Sequence, residues 1–385
     1  MQTVRCAVDG DETSNVTFPA DSANPASDPT PEFGRAVGFV AGGIGDQIYH
    51  LDQLRALAGA CRTGSIDIAC IHPGPISRIL AATPWVGRII DARTIRRFRP
   101  WDNDREAIRA LRLHRYDTAF FMHRSTSFKL AARAAAIPRR IGLAGSILDR
   151  LLLNTALPLD GGGERRALWG HRPFIAALDD YVLGTGLRLA PTIPTIIADR
   201  EMLAATRRFL APLPGPVTIV NLFALDARRR WPIDAALDVI ATLAASGGSF
   251  ILNAGPDATD YHRATISAWQ ERCRTNRSIS ATQLIDSLGP DASMERDVAL
   301  YHLADNYLGV DSFTANLAMN CNLPAVILFT WQRDRLAYRS VVEAVTPTTA
   351  GDLATTRKSD VITAFSRLKK AAVATVADQD HPLPL

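Results

Sequence analysis

The chain passes twice through the same pattern, in which short apolar segments alternate with amphipathic segments of helical spacing. In the first half, the apolar segment 37–40 ends in a glycine-rich turn that contains Gly42, Gly43, Gly45 and Asp46. In the second half, Asp311 and Ser312 stand at the start of a predicted helix that is followed by another apolar segment. Strands that alternate with crossover helices form parallel sheets. The pattern therefore predicts an α/β protein with two doubly wound, Rossmann-like domains that face a central cleft.

The predicted first domain spans residues 35–190, and residues 1–34 form a disordered lead-in. The lead-in contains acids, prolines, serines and asparagines but no apolar core. Alternating apolar runs and helical spacing predict strands and helices in the rest of this half. The strands are 37–40, 66–71, 86–90 and 118–122, and the helices are 48–61, 76–82 and 128–136.

The predicted second domain spans residues 191–385, because the regular pattern lapses around Pro191 and Pro194. A helix over 201–210 leads into this domain, where the alternation restarts. The strands are 217–220, 249–252, 307–310 and 326–329, and the further helices are 233–245 and 314–320. The last amphipathic stretch, 361–376, is predicted to pack on one of the two domains, and the pattern does not say which.

The composition is that of a soluble globular protein, with 47% hydrophobic and 21% charged residues in a chain of 385. The net charge of +4 does not favour nucleic acid as a partner. The five cysteines are scattered without metal-ligand spacing, so neither a metal site nor a disulfide framework is predicted. A reducing cytoplasm is the expected compartment. No apolar run reaches the ~18 residues that span a bilayer.

The glycine turn of the first half places a carboxylate, Asp46, where a strand meets a helix. Glycines at such a turn allow a ligand to approach the backbone closely, and a carboxylate there suits a general base. For Asp46 taken alone, ordinary capping of the helix is the simpler interpretation. A nicotinamide site is weakly supported, because the spacing is not G-x-G-x-x-G and the nearest acid, Asp67, lies inside its strand.

In the second half, three groups of residues follow predicted strands, where doubly wound sheets bind ligands. Arg228, Arg229 and Arg230 precede a helix and could grip a diphosphate, although a solvated basic loop is the simpler interpretation. Gly255 and Asp257 follow the next strand, and Asp257 either binds a ribose or sugar or only makes the turn. The helix start at Asp311 and Ser312, with Thr314 one turn on, offers unpaired N–H groups to an anion or is simply capped.

A cluster of arginines in the first half is interleaved with Trp85, Phe98 and Trp101. This composition suits an anionic and partly apolar acceptor, such as a phosphorylated glycolipid. A solvated helix face explains the same residues. The members that we predict to bind an acceptor, together with Gly43, are Arg97, Arg99, Arg112 and Arg124.

Taken in order, these motifs resemble those of the glycosyltransferase family 9 heptosyltransferases, which have a GT-B fold. The resemblance extends from about Arg35 to Trp331. The matching segments are Gly42–Asp46 with the helix after it, Thr83–Ile90, Tyr116–Asp117, Arg139–Gly142, Arg229–Pro232 and Asp311–Ala318.

The resemblance implies an enzyme that transfers a sugar from a nucleotide diphosphate donor, usually ADP-heptose, to a lipopolysaccharide-type acceptor. It implies inversion at the sugar, no metal and no cofactor. Asp46 would be the general base, Arg229 would take the place of a phosphate-binding lysine, and Asp311 and Ser312 would bind the donor. The expected location is the cytoplasm, with a peripheral contact with the inner face of the bacterial membrane as a further expectation.

Four departures from the family pattern fall in the donor motifs. Phe313 replaces a glycine, Asn316 replaces a histidine, residues 221–224 replace H-P-G-A, and Ala258 replaces a glutamate. The base, nucleotide or sugar could therefore differ from the family norm. A non-catalytic relative that binds nucleotide sugars, or serves as a scaffold, is the alternative, and a nicotinamide enzyme is a third.

Overall fold

A computed structural model describes residues 33–95, 105–158, 172–190, 192–288, 292–330 and 342–377. These residues form two parallel six-stranded sheets, each with helices packed around it. The two-domain α/β architecture predicted from the sequence is confirmed. Within the described ranges, no helix is long and apolar enough to cross a membrane.

The first sheet has the strand order β3-β2-β1-β4-β5-β6. Its strands are β1 (Ala36–Phe39), β2 (Ile66–Cys70), β3 (Val86–Asp91), β4 (Thr118–Phe121), β5 (Arg139–Ala144) and β6 (Thr155–Pro158). The helices of this domain are α1 (Ile44–Ile48), α2 (Leu51–Gly59), α3 (Pro73–Ile79), α4 (Arg105–Leu113), α5 (Thr126–Ala134), α6 (Ile147–Leu152) and α7 (Arg172–Gly184). Strands β1, β2 and β4 are buried along their whole length, as continuous apolar strands covered on both faces are.

The second sheet repeats this plan with the order β12-β11-β10-β7-β8-β9. Its strands are β7 (Val217–Asn221), β8 (Ser249–Leu252), β9 (Leu284–Asp286), β10 (Asn306–Val310), β11 (Ala325–Leu328) and β12 (Val342–Val345). Its helices are α8 (Arg200–Leu210), α9 (Ile233–Ala244), α10 (Thr259–Thr275), α11 (Met294–Leu303), α12 (Phe313–Asn320) and α13 (Lys358–Ala377).

Each sheet has one point where its strand order reverses, between β1 and β4 in the first and between β7 and β10 in the second. Loops diverge to opposite faces there, which leaves a crevice at the carboxyl ends of the strands. The glycine turn follows β1, and Asp311 and Ser312 follow β10. Both predicted ligand-binding turns therefore lie at switch points.

The two switch points face each other, because helices from the two domains pack directly together. α1 contacts α12, and α3 contacts α11. The connection between the domains is held from both sides. Arg55 of α2 donates to the carbonyls of Ala190 and Pro194 at 2.5 and 3.0 Å, and His302 of α11 donates from Nε2 to the Ile196 carbonyl at 2.9 Å.

The structure differs from the sequence prediction at several elements. The helix predicted over 48–61 is two helices, α1 and α2, and the first begins at Ile44 inside the glycine turn. The sequence analysis missed α4, α6, α7, α10 and α11 and the strands β5, β6, β9 and β12. The C-terminal helix α13 packs on the second domain, where Val361 and Phe365 join the apolar core.

The predicted lead-in, 1–34, falls outside the described residues except for its end. Phe33 is buried and packs edge-on against Phe120 of β4, with 5.1 Å between ring centroids. This residue therefore belongs to the core of the first domain, because its ring is covered by the sheet.

Candidate functional site

The turn after β1 holds Asp46 against its own backbone. Gly42 has a positive φ of 98°, which favours glycine, and a Cβ there would come within 2.5 Å of Asp46 Oδ2. The N–H of Gly43 donates to Asp46 Oδ2 at 2.7 Å. Asp46 thus caps α1, as the simpler interpretation of the sequence has it. Its side chain is half-buried at the cleft edge of the sheet.

A buried glutamine that the sequence analysis did not single out fixes this turn. Gln47 donates from Nε2 to the carbonyls of Gly42 and Gly43, at 3.0 and 3.2 Å. Its Oε1 accepts from the N–H groups of Ile71 and His72, at 3.1 and 3.2 Å. The glycine turn is therefore tied to the end of β2, which limits the positions that Asp46 can take.

On the opposite side of the cleft, four polar side chains form a connected group under the start of α12. Asn221 donates from Nδ2 to Ser312 Oγ at 2.8 Å and to Thr314 Oγ1 at 2.6 Å. The Tyr307 hydroxyl lies 2.9 Å from Thr314 Oγ1. Asn221 belongs to one of the segments that depart from the family pattern. Its side-chain amide holds the hydroxyls of Ser312 and Thr314 in place at the first turn of α12.

Thr314 was predicted to bind a donor, and its side chain does not reach the cleft. The residue is 4% exposed, and its hydroxyl contacts Asn221, Tyr307 and Ser312. The hydrogen-bonding capacity of this hydroxyl is used within the protein, and donor binding by Thr314 stays a prediction. Thr314 supports Ser312, which is half-buried at the helix N-terminus.

The three consecutive arginines after β7 do not act as one clamp. Arg229 reaches the α12 turn, where its Nη1 lies 3.1 Å from the Asp311 carbonyl and 3.6 Å from Asp311 Oδ2. Arg228 pairs with Asp226 at 2.8 Å on the surface. Arg230 donates to the Ala224 carbonyl at 2.9 Å, and its guanidinium stacks over Phe223. The contacts of Arg229 place a guanidinium beside the start of α12.

The turn after β8 lies one strand away from β7 at the same sheet edge. Gly255 and Asp257 are both exposed there, so each is accessible to a ligand. Ala258, which stands where the resemblance predicts a glutamate, is fully buried and offers no polar group.

Beneath that turn, a polar network joins Asn253 to residues that the sequence analysis missed. Asn253 Nδ2 donates to Ser287 Oγ at 3.0 Å and to Asp297 Oδ1 at 2.8 Å, and its Oδ1 accepts from the Tyr301 hydroxyl at 3.1 Å. Burial raises the pKa of Asp297 to about 6, although the hydrogen bond from Asn253 opposes the shift. The network ties the end of β8 to α11.

The two halves of the site meet where α1 lies beside α12. A Cβ on Gly45 would be 3.1 Å from Asn316 Nδ2 and 3.3 Å from Phe313 Cα, so only glycine permits this approach without a shift. Phe313 and Asn316 are two of the departures from the family pattern, and both lie at this contact. The same close approach brings the capped turn of Asp46 beside the N-terminus of α12.

The predicted acceptor-binding residues are not all in one place. Gly43 is exposed in the turn beside Asp46, and the stem of Arg124 lies over Gly145 at the carboxyl ends of β4 and β5. Arg112 donates to the Ala134 carbonyl at 2.8 Å, at the end of α5 that leads into the amino end of β5. The structure does not bring Arg112 to the cleft edge, because α4 ends at the other edge of the sheet. Arg97 and Arg99 lie outside the described residues.

A buried ion pair supports the loop that carries Arg124. Lys129 Nζ lies 3.0 Å from Asp149 Oδ1, and the two side chains are 0% and 3% exposed. Asp149 also accepts from Thr126 Oγ1 and the Gly145 N–H, both at 2.9 Å. Burial alone would raise the pKa of Asp149, but Lys129 and these hydrogen bonds outweigh it and hold the pKa below its ordinary value.

Asp67, the acid considered for a nicotinamide site, is used inside the first domain. Its carboxylate accepts from the Tyr116 hydroxyl and from the Arg88 N–H, both at 2.7 Å. These contacts account for the burial of this acid within β2. They give no support to dinucleotide binding at the glycine turn.

The site therefore combines a carboxylate on one wall with a guanidinium and a helix N-terminus on the other. A carboxylate near neutral pH can accept a proton, and a guanidinium beside unpaired N–H groups can hold a diphosphate. This arrangement suits the transfer of a group from an anionic leaving group to a hydroxyl.

No protein-family model matches the chain, and no curated protein matches it in sequence. Solved structures with similar coordinates include ADP-heptose LPS heptosyltransferase II of E. coli, at 18% identity and a TM-score of 0.65 over 88% of this chain and 99% of that one. A glycosyltransferase family 9 protein of Veillonella parvula is 13% identical, with a TM-score of 0.68 over 89% and 99%. The E. coli heptosyltransferase WaaC, solved with ADP-2-deoxy-2-fluoro heptose, is 16% identical, with a TM-score of 0.60 over 86% and 99%. The chain thus has the GT-B type of fold, with two Rossmann-like domains, that these transferases share.

Proposed function

We propose that the protein is an inverting glycosyltransferase that moves a sugar from a nucleotide diphosphate donor to a hydroxyl of a lipopolysaccharide-type or other glycan acceptor. One observation carries the proposal. Asp46 and the pair of Arg229 and Ser312 lie at facing switch points, and the α1–α12 contact joins them. The GT-B fold supports it, because the similar structures include proteins named as heptosyltransferases.

In the proposed reaction, Asp46 takes the proton from the acceptor hydroxyl as its oxygen attacks the anomeric carbon. The bond from that carbon to the diphosphate breaks on the opposite face, so the configuration at the carbon inverts. Negative charge grows on the leaving diphosphate as the bond breaks. Arg229 and the N–H groups at the start of α12 would neutralise it, which is why the proposal includes no metal ion and no cofactor.

The proposed donor is an ADP-sugar, and the proposed compartment is the cytoplasm, with the acceptor reached at the inner face of the membrane. The departures at Phe313 and Asn316 bear on the sugar. Phe313 occupies the first turn of α12 with more bulk than glycine, and Asn316 donates to the Ser312 carbonyl at 3.2 Å. We therefore propose that the sugar differs from the heptose of the family norm.

A non-catalytic protein that binds nucleotide sugars is the second candidate, and Ala258 is the observation that favours it. A buried alanine cannot replace the hydrogen bonds of the glutamate expected there. Binding would then depend mainly on Arg229 and the α12 turn, and the protein could hold a donor without transferring its sugar.

An assay of donor turnover distinguishes the proposed transferase from the non-catalytic binding protein. A panel of ADP-, UDP- and GDP-sugars is incubated with the full chain and a glycan acceptor, with and without a chelator, and NMR follows the anomeric protons. The transferase predicts loss of one donor, product of opposite anomeric configuration and no effect of the chelator. A donor that binds but is neither hydrolysed nor transferred with any acceptor would support the second candidate instead.

A further inference from the structure

Helix α6 exposes three of its four apolar side chains, buries only Leu152 among them, and also buries its acid. Ile147, Leu148 and Leu151 are 80%, 48% and 76% exposed. Asp149 is 2% exposed. A surface helix normally buries its apolar face and exposes its charges. Three large apolar side chains on one short helix form a contiguous patch, which in soluble proteins marks an interaction site.

This orientation of α6 is fixed by the ion pair described above. Asp149 is held by Lys129, Thr126 and the Gly145 N–H, and Ser146 Oγ accepts from the Asp149 N–H at 3.1 Å to cap the helix. Rotation of α6 to bury Ile147, Leu148 and Leu151 would leave Lys129 charged and unpaired in the interior, which is strongly unfavourable. The apolar side chains therefore stay outside.

Arginines lie beside α6 as well as within it. Arg140 donates from Nε to the Leu152 carbonyl, at the end of α6, at 2.7 Å. Burial and the charge of Arg133, which is exposed at the end of α5, lower the pKa of Arg140. Arg150 is exposed within α6 itself. Such a patch combines exposed apolar side chains with arginines. It complements a surface whose outer layer is anionic and whose interior is apolar.

We propose that α6 and the basic surface around it form a docking site for an anionic lipid bilayer. Apolar side chains would enter the boundary between headgroups and acyl chains while arginines contact lipid phosphates. A second copy of the chain is a poorer occupant, because a symmetric contact would bring two basic surfaces together. Helix α6 follows β5 at the sheet edge where Asp46 lies, so a bilayer on this face would lie beside the cleft.

Flotation with vesicles tests the proposal directly and requires no donor or acceptor. The full chain is expected to bind vesicles made of equal parts of phosphatidylcholine and phosphatidylglycerol, and to bind phosphatidylcholine alone much more weakly. The double variant Ile147→Ser, Leu151→Ser should bind about tenfold more weakly, because it removes the apolar insertion. Arg150→Gln should bind about fivefold more weakly, with the loss diminishing as salt rises.

Leu225→Ser is the matched control, because Leu225 is 75% exposed but lies in the second domain. It should leave vesicle binding unchanged. The docking site is disproved if wild-type protein ignores anionic vesicles, or if Leu225→Ser loses as much binding as the α6 variant. Binding to an RNA oligomer that needs Arg150 but not Ile147 and Leu151, without vesicle binding, would assign the surface to nucleic acid.

Thermal unfolding of the α6 double variant shows whether the face is open. Serines at solvent-exposed positions should leave the melting temperature nearly unchanged. A fall of several degrees would show that another part of the chain covers α6, and would overturn the proposal. Nucleotide binding by the same variants is measured separately, so a failure of the proposed transferase activity would remain distinguishable from a failure of lipid docking.

Discussion

Asp46 has one observed role, as a cap, and one proposed role, as a general base, and one substitution separates them. As a cap, it accepts from the Gly43 N–H at 2.7 Å, and as the proposed base it would accept a proton from the acceptor. In Asp46→Asn the amide oxygen can keep the cap, but it cannot take the proton. We expect fold and nucleotide affinity to be retained while transfer falls roughly 10²–10⁴-fold. Steady-state turnover measures this, and a rate close to that of wild type would exclude Asp46 as the base.

Asp297 gives the stability a predictable pH dependence. Its pKa is raised from 3.8 to about 6 by burial, so the folded state binds the proton more tightly than the unfolded state. The stabilisation from protonation is therefore lost as pH rises from about 4 through about 6. Above that range the ionised carboxylate costs at most about 3 kcal/mol, at 1.36 kcal/mol per pKa unit.

Asp297→Asn should remove this cost and keep the hydrogen bond from Asn253. Urea unfolding should show the variant to be more stable than wild type at about pH 7.5, by an amount that shrinks as pH falls toward about 4. Asp260→Asn, at an acid that is 93% exposed, should show no comparable gain. An advantage of Asp297→Asn that is independent of pH would contradict the assignment.

At the scale of elements, α1 and α12 run side by side and set the distance between the two halves of the site. Gly45 meets the start of α12, and Asn320 at its end donates from Nδ2 to the Ile48 carbonyl at 3.0 Å. Thr195, in the connection between the domains, donates from Oγ1 to Asn320 Oδ1 at 2.5 Å. Asn320 is fully buried, so these contacts satisfy an amide that has no access to water.

Thr195→Val tests whether this contact positions the catalytic groups. Valine keeps the shape but removes the donor to Asn320, which should cost roughly 1–3 kcal/mol of stability. In the proposed reaction α1 and α12 carry groups for different substrates, so we expect kcat to fall more than nucleotide affinity. Thr195→Ser keeps the hydroxyl and should stay close to wild type. Equal losses of kcat and nucleotide affinity in Thr195→Val would indicate a general structural defect.

The sequence predicts the central strands except β5, but of the four outer strands it predicts only β3, for a physical reason. Strands such as β1 and β10 are buried on both faces and therefore read as continuous apolar runs. The edge strands β6, β9 and β12 are short or carry charged residues, and β5 begins with two arginines. Their apolar pattern is too short to separate from that of a loop.

In the candidate site, too, some features are predictable from the local sequence and others are not. Gly42, Asp46, Asp311 and Ser312 follow strands with turn-forming residues, so their sheet edge is predictable from local sequence. Gln47 shows what is not predictable, because its role depends on its contact with the end of β2, at Ile71 and His72. That pairing is set by the tertiary fold, and no local spacing indicates it.

At the scale of the whole molecule, the account requires one ligand to be shared between two domains. The second domain would hold the nucleotide diphosphate through Arg229 and the start of α12, and the first would bring Asp46 and the acceptor to the sugar. The connection between the domains is hydrogen-bonded to α2 on one side and to α11 on the other. Diphosphate binding is therefore the first requirement, and it can be measured without an acceptor.

The most direct measurement is calorimetric titration of the full chain with ADP, UDP and GDP. The account predicts that at least one of them binds, with ADP favoured. Arg229→Ala should weaken that binding by about 1.5–3 kcal/mol, the worth of a hydrogen bond to a charged group, and Arg229→Lys should restore part of it. Arg228→Ala is the matched control, because Arg228 pairs with Asp226 on the surface and should not affect binding. If no nucleoside diphosphate binds at millimolar concentration, or if Arg228→Ala is as damaging as Arg229→Ala, the account is contradicted.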